Sequence, residues 1–262
     1  FCLSRGLGDV YKRQLIARQQ SLLADFGDQV KWLSEWPESL QGVVVGNEVL
    51  DAMPVKLLHR IKGEWHERGV VLAPPSDHSD GLAWEDRPTH LRPPIEPVGE
   101  HDYLTEIQPQ GEAFVASLAE RLLASEKGGA AFFLDYGFPE AEFFHPERHM
   151  GTLMCHQAHK ADVNPLEALG LKDITAHVNF TGMALAGQDA GLEVLGYTSQ
   201  ARFLLNLGLA ERMAESGLAQ RAQAIKLINE HEMGELFKVL GFATHAHWQA
   251  QGFAVGDRSH KL

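Results

Sequence analysis

The sequence predicts an α/β fold with a mostly parallel sheet, helices on both faces and a β-hairpin insertion. Two apolar runs carry this prediction, GVVVG at 42–46 and AAFFL at 130–134, and an acidic residue follows each run within two positions. Short uniformly apolar runs are typical of strands that are buried on both faces of a parallel sheet. Stretches with helical periodicity alternate with these runs, and this alternation favours the α/β class.

The first fourteen residues differ from the rest of the chain. FCLSRGLGDVYKRQ begins without Met and has neither helical nor strand periodicity. We interpret residues 1–14 as a non-native leader, and the alternative is a disordered native tail. Gly6 and Gly8 do not form a dinucleotide-binding turn, because no strand precedes them and Tyr11 stands where the third glycine is required.

Regular patterns begin at Leu15. An apolar stripe predicts a helix over 15–26 that ends at Gly27, a residue suited to closing a helix. Gln29–Leu33 is predicted as a short strand. The run of valines then predicts a central strand over 43–49.

An insertion is predicted at 54–101, within a domain that extends over 15–262. The apolar stretches VKLLHRI and WHERGVVL, separated by a Lys62-Gly63-Glu64 turn, predict a β-hairpin. Residues 73–101 are rich in Pro, Asp, His and Gly, which predicts a long irregular loop.

The second half of the chain continues the alternation of helices and strands. In order, the patterns predict a helix after Pro109, a strand at 130–137, strands at 151–158 and 172–178, a helix at 181–190, a strand at 192–197, a helix capped by Thr198 or Ser199 that runs through Leu207, and helical structure over 209–240 with a break near Glu230.

Composition excludes several classes of function. The net charge of −12 argues against nonspecific binding to nucleic acids or anionic membranes, which requires clustered Lys and Arg. No apolar run is long enough to predict a transmembrane span. Only two cysteines are present, so we expect no disulfide framework and a reducing, cytoplasmic location.

Acidic residues follow the first apolar run. Asn47 and Glu48 end the predicted strand and Asp51 comes three residues later. Ligands of open α/β sheets bind just beyond the carboxyl ends of the strands, so these acids are candidates for acid–base chemistry or for binding a cation. Alternatively, Asp51 stabilises a local turn and Glu48 is a solvated strand end.

Asp135, Tyr136 and Gly137 end the second run in the same way. They are either part of the same site or a turn in which Gly137 supplies a positive φ and Asp135 bonds the backbone. The shared position at strand ends supports the first interpretation, and the two remain open at this stage.

Cys155, His156 and His159 superficially suggest a metal site. No second pair of ligands follows at the spacing that zinc requires, so we predict no metal and a structural or substrate-side role for His159. The chain contains no Gly-x-Ser-x-Gly elbow, Walker loop or His-Glu-x-x-His motif. A hydrolase that uses Asp135 and His159 would therefore lack a nucleophile.

The segment VVVGNEVLDAMPVKLL resembles the signature of the MidA-type family of S-adenosylmethionine-dependent methyltransferases. The resemblance covers nearly everything from Leu15 onward, in six ordered blocks. After the signature, these blocks are FLDYG at 133–137, GTLMCHQAH at 151–159, DITAHVNFT at 173–181, TSQARFLLNLGL at 198–209 and MGELFKVL at 233–240.

The resemblance implies a partial Rossmann-like class I methyltransferase fold with S-adenosyl-L-methionine (SAM) as cofactor. It places the loop Leu33, Ser34 and Glu35 near the adenine, and Asn47 and Glu48 near the methyl group. Members of the family begin with a strand, a Gly-rich turn and a second strand that this chain does not contain in recognisable form. The domain is therefore expected to be incomplete, and we expect the 262 residues to bind SAM weakly or not at all.

The resemblance also implies that the acceptor is an arginine side chain of a protein. A carboxylate pair suits a guanidinium, so Glu48 and Asp51 are the expected catalytic acids, with Asp51, Asp135, Tyr136 and His159 on the substrate side. Alternatively, Glu48 binds the amino group of the cofactor. A non-catalytic assembly protein, which holds its partner through the hairpin and residues 73–101, is the alternative function.

Overall fold

A computed structural model describes residues 9–74, 81–157, 160–245 and 249–262. The helices are α1 (Asp9–Leu22), α2 (Pro109–Leu123), α3 (Glu140–Phe143), α4 (Phe180–Asp189), α5 (Gln200–Asn206), α6 (Leu209–Glu215) and α7 (Leu218–Ile228). The strands are β1 (Gly42–Asn47), β2 (Lys56–Ile61), β3 (Glu64–Leu72), β4 (Leu82–Pro88), β5 (Tyr103–Ile107), β6 (Gly129–Phe138), β7 (Met154–Gln157), β8 (Lys160–Asp162), β9 (Asp173–Thr175), β10 (Val178–Asn179), β11 (Glu193–Ser199) and β12 (Phe237–Ala243).

A five-stranded mixed sheet forms the centre of the fold, in the order β1-β6-β12-β11, with β10 paired to the end of β6. Strands β1 and β10 run parallel to β6, whereas β12 is antiparallel to both β6 and β11. The α/β class is confirmed. The sheet is only partly parallel, because the last two strands of the chain form an antiparallel pair.

Helices cover the sheet on both faces, as the sequence predicts. On one face, α2 and α4 pack Leu118, Leu122 and Met183 into a core that also contains Phe133 and Phe242. Helix α2 begins with Pro109 at a position where the missing N–H costs no helical hydrogen bond. On the other face, the rings of Phe132, Phe203 and Phe253 form a smaller cluster beneath α5.

Strand β1 lies at the edge of this sheet in the part of the chain that the structure describes. Val44 packs against the core, but Val43 and Val45 on the opposite face are 67% and 60% exposed. The prediction that this strand is buried on both faces is therefore wrong. An apolar run shows that a strand forms, but not whether neighbouring elements cover both of its faces.

The predicted hairpin is confirmed and belongs to a second sheet, in the order β4-β3-β2-β5. Part of the stretch predicted as an irregular loop is in fact β4, which pairs with β3 over seven residues. The high proline content predicted a loop. Pro88 is nevertheless compatible with a strand, because it is the last residue of β4, where a missing N–H donor is tolerated.

Arg60 fastens the following loop to this second sheet. Its guanidinium is buried and donates to the carbonyl oxygens of Pro97 at 2.7 Å and Gly99 at 2.8 Å, and to Glu96 at 3.1 Å. One cation thus replaces the strand pairing that residues 96–99 lack, so this loop is fixed without regular structure.

Two other predictions fail. Residues 29–33 form no strand, because a 3₁₀ helix over Ala24–Gln29 is followed by extended chain without a pairing partner among the described residues. Helical structure predicted over 209–240 is present in α6 and α7, and a short π-helix follows over Glu230–Gly234 after the predicted break, but Phe237–Ala243 is strand β12. Every residue of β12 is buried between β6 and β11, so tertiary pairing overrides the local helical pattern.

Smaller elements complete the fold. Strands β8, β7 and β9 form a three-stranded antiparallel sheet. Ser199 caps α5, as predicted, by accepting a hydrogen bond from the backbone N–H of Arg202. Among the described residues, no helix has the length and apolarity needed to cross a lipid bilayer.

Candidate active site

The parallel pairing of β1 with β6 brings the two acidic motifs together. Asn47, the last residue of β1, lies opposite Leu134 in the register, so Glu48 and Asp135 follow side by side where β1 ends, while β6 continues to Phe138. Since the carboxyl ends of parallel strands meet at one edge, the residue pattern alone was sufficient to predict this arrangement.

Asp135 holds the loop that follows β1. One of its carboxylate oxygens accepts hydrogen bonds from three consecutive backbone N–H groups, those of Val49 at 3.1 Å, Leu50 at 2.9 Å and Asp51 at 3.3 Å. The other oxygen accepts from the N–H of Tyr136 at 3.0 Å. Both oxygens thus accept hydrogen bonds from the backbone, and Asp135 positions the loop.

Glu48 turns the chain toward Asp135. Its φ of 50° is unusual for a residue other than glycine, and its N–H is held by the carbonyl oxygen of Leu134 at 2.9 Å. This left-handed residue directs the next three N–H groups toward one carboxylate. The side chains of Asn47 and Glu48 remain exposed and bond each other at 3.1 Å, so they are open to a ligand at the rim.

Asp51, by contrast, is buried and only 3% exposed. Its Oδ2 accepts a hydrogen bond from the Tyr136 hydroxyl at 2.6 Å, and its backbone oxygen accepts from Ala176 at 3.0 Å. Its Oδ1 has no hydrogen-bond partner in the part of the chain that the structure describes. A buried carboxylate oxygen without a donor is costly, and it is suited to a ligand that brings one.

The carboxyl groups of Asp51 and Asp135 both have raised pKa values. Burial raises the pKa of Asp51, and the negative charges of Glu48 and Asp173 raise it further against the hydrogen bond from Tyr136. Burial and the charge of Asp51 likewise raise the pKa of Asp135. Burial and the bond to Asp51 raise the pKa of Tyr136, so the phenol stays protonated and remains a donor.

These shifts predict that Asp51 lowers the free energy of unfolding as the pH rises. A carboxyl group whose pKa is raised in the folded state contributes its full stability below the ordinary pKa of 3.8, and loses it as the pH increases through the raised value. Asp51→Asn cannot ionise. We therefore expect its stability relative to the original protein to increase in urea unfolding as the pH rises above the ordinary pKa of 3.8. A difference that is constant above this value would show that the pKa of Asp51 is ordinary.

His177 is a site residue that the sequence analysis missed. Its ring meets Tyr136 edge-on, with centroids 5.2 Å apart, and its Nδ1 is buried without a hydrogen-bond partner among the described residues. Burial, with the charges of Arg148 and Lys238, lowers its pKa to about 4, so the ring is neutral at pH 7. Its position in the block DITAHVNFT could have pointed to this role, because His177 directly precedes β10, the strand that pairs with Gly137.

Gly137 allows that strand to approach. A Cβ atom at this position would lie 2.1 Å from the carbonyl oxygen of Val178, so any other residue would push β10 away from β6. The close approach places His177 beside Tyr136. Gly137 lies within β6, so it is required for the close packing of β10 and does not form the turn considered above.

Of the three residues expected near the adenine, only Ser34 reaches a cavity. It lines a space of about 420 Å³ together with Trp36, Val49 and Met53 and part of α2. Leu33 is 51% exposed and Glu35 is also exposed, and neither lines this cavity.

His159 lies outside the described residues, so its predicted substrate-side role is not tested. Cys155 is a free, buried thiol on β7. Within the described ranges, no three His, Cys, Asp or Glu side chains are grouped so that they could hold a metal ion.

Comparison with known proteins decides the family. A model of the family described as putative S-adenosyl-L-methionine-dependent methyltransferases matches residues 11–198. The chain belongs to this family. The resemblance inferred from the six sequence blocks is therefore confirmed.

Two curated relatives are named as mitochondrial protein arginine methyltransferases. The NDUFAF7 homolog of Caenorhabditis elegans is 28% identical over 204 residues, which are 73% of this chain and 43% of the relative. NDUFAF7 of Xenopus laevis is 25% identical over 235 residues, which are 80% of this chain and 49% of the relative. The chain thus spans about half the length of the curated relatives it matches.

Two crystal structures from Burkholderia thailandensis share the fold. One, bound to S-adenosyl-homocysteine, is 43% identical with a TM-score of 0.83, covering 95% of this chain and 66% of its own. The other, a native structure, is 44% identical with the same TM-score, covering 95% of this chain and 68% of its own. The class I methyltransferase fold inferred from the sequence is confirmed by these neighbours.

Proposed function

We propose that this protein is a SAM-dependent protein arginine N-methyltransferase in which Asp51 binds the guanidinium group of the acceptor. Membership of the methyltransferase family and the names of the curated relatives support the reaction class. The observation that carries the acceptor assignment is the buried, unpartnered Oδ1 of Asp51. A guanidinium supplies N–H donors and a positive charge, both of which this oxygen lacks.

The residues present fit part of the cofactor. Trp36, Val49 and Met53 give the cavity beside Ser34 an apolar wall that suits an adenine ring. The exposed Asn47 amide and Glu48 carboxylate offer hydrogen-bond partners to its polar groups. When bound, SAM supplies the electrophilic methyl group.

Asp51 has two tasks in this proposal. Through Oδ1 it orients one nitrogen of the guanidinium for in-line attack, and such positioning accounts for about 7–11 kcal/mol of a reaction barrier. Its raised pKa also makes it a suitable acceptor for the proton that this nitrogen would lose as the N–C bond forms and the S–C bond of SAM breaks, leaving S-adenosyl-homocysteine. Tyr136 fixes the carboxylate by donating to Oδ2.

Asp135 and Glu48 have supporting roles in this proposal: Asp135 positions the loop, and Glu48 contacts the cofactor. Asp135 determines where Asp51 stands, because it bonds the N–H groups of residues 49–51. We assign the exposed Glu48 to the cofactor side, since it lies with Asn47 outside the buried pocket of Asp51. Preorganised groups of this kind lower a barrier without rearranging during the reaction.

A transfer assay tests the proposed function. The protein, expressed from the full reading frame that contains these residues, is incubated with methyl-labelled SAM and a protein extract. Acid hydrolysis of the labelled proteins should release methylated arginine. Label in another amino acid would refute the acceptor class, and an acceptor that binds without becoming labelled would favour the assembly role.

A further inference from the structure

A groove leads from the protein surface to Asp51. It lies between the second sheet and strand β9, has a volume of about 410 Å³, and ends at the loop that carries Asp51. We call it the acceptor groove, and we use the word mouth for the large exposed apolar residues of its lining, Val70 on β3, Trp84 on β4 and Ile174 on β9. These three side chains are 47%, 36% and 45% exposed.

Charges in the acceptor groove are paired except at its inner end. Lys56 bonds Glu67 at 2.8 Å. Arg68 bonds both oxygens of Asp86, at 2.9 Å and 2.8 Å. Both cations that line the groove are therefore neutralised. Among the charged residues that line the groove, Asp51 has a buried oxygen, Oδ1, without a hydrogen-bond partner in the described part of the chain.

Neighbouring acids add to this negative potential, because Glu48 and Asp173 both act on Asp51 as like charges. A cation is thus the complementary ligand for the inner end. Among protein cations, a guanidinium is less strongly hydrated than an ammonium, so it loses less on entering a narrow, partly apolar groove.

We propose that the acceptor groove binds an extended protein segment whose arginine reaches Asp51 while neighbouring apolar side chains pack on Val70, Trp84 and Ile174. This inference rests on the proposed function and adds a preference for arginines with apolar neighbours. The methylene stem of the arginine lies along the groove and its head donates to Oδ1. The exposed apolar residues of the mouth contribute to binding only if apolar side chains of the partner cover them.

Peptide binding tests the preference. The probes are acetyl-Leu-Arg-Leu-amide, acetyl-Ser-Arg-Ser-amide and methylguanidinium, and calorimetry gives each dissociation constant. We expect the leucine peptide to bind at least about tenfold more tightly than the serine peptide. We expect Asp51→Asn to abolish binding of all three probes. Equal affinity for the two peptides, or no binding of any probe, would overturn the proposal.

A matched pair of variants locates the apolar contact. Ile174→Arg places a cation at the mouth, and Ile225→Arg makes the same change on α7, where Ile225 is 49% exposed and far from the groove lining. We expect Ile174→Arg to weaken the leucine peptide about tenfold, with methylguanidinium changed less than about threefold. Ile225→Arg should change neither affinity. Equal effects of the two variants would refute the groove.

The outcomes separate this inference from the proposed function. If the probes bind as described but the transfer assay yields no methylated arginine, the groove stands and the methyltransferase assignment fails. If arginine is methylated while Ile174→Arg leaves the KM of the acceptor unchanged, the function stands and the groove is wrong.

Discussion

Replacing Asp51 with asparagine is expected to lower kcat/KM for a protein acceptor by about a hundredfold, close to 3 kcal/mol of lost stabilisation. The amide keeps the shape of the side chain and can still accept the hydrogen bond from Tyr136. It loses the charge that pairs with the guanidinium, and in place of Oδ1 it offers a donor or an uncharged oxygen. Steady-state kinetics with labelled SAM measure the change.

The dissociation constant of SAM should not change in this variant, because Asp51 is assigned to the acceptor. Asp173→Asn is the matched control, since Asp173 is an exposed carboxylate on β9 that acts on Asp51 only as a like charge. It should retain turnover within about threefold. Full activity of Asp51→Asn would remove Asp51 from the site.

Asp135→Ala is expected to lower the free energy of unfolding by about 3–5 kcal/mol, because each buried N–H left without an acceptor costs about 1–3 kcal/mol. The variant leaves four N–H groups without their acceptor, those of residues 49–51 and of Tyr136. It also removes like-charge repulsion with Asp51, which offsets part of the loss. Urea unfolding gives the difference.

The control for this prediction is Asp189→Ala, at an exposed position at the end of α4. A surface change of this kind should stay within about 0.5 kcal/mol. If Asp135→Ala costs no more than its control, Asp135 does not anchor the loop, and the position of Asp51 must have another cause.

Local pattern was sufficient to predict where the site lies. The apolar runs at β1 and β6 end in Glu48 and Asp135, and parallel pairing places those ends together. The hydrogen bonds of Asp135 to the loop could not be predicted, because a sequence does not show which N–H groups converge on a carboxylate. Of the two interpretations for Asp135, the one in which it bonds the backbone is the one observed.

Pairing between distant segments was beyond the reach of local pattern. The sequence of β12 is compatible with a helix, but this segment forms a strand because it pairs with β6 on one side and with β11 on the other. Strand β4 lies in a proline-rich stretch, and its pairing with β3 gives it regular structure. Residues 29–33 show the converse. Their sequence pattern predicts a strand, but they have no pairing partner among the described residues and form no strand.

His177 illustrates the same limit within the site. The sequence contains 14 histidines, and His177 is one that fits no ligand pattern. In the fold, Gly137 lets β10 approach β6, and this approach places the ring against Tyr136. Its role depends on a glycine forty residues away, so only the three-dimensional packing reveals it.

The most direct measurement is a titration of the Asp51 carboxylate by carbon-13 NMR, with and without methylguanidinium. Without the ligand, the pKa of Asp51 should lie above the ordinary value of 3.8. With the ligand it should fall, since a bound cation stabilises the ionised form. A midpoint that methylguanidinium leaves unchanged would contradict the assignment of Asp51 as the residue that receives the acceptor.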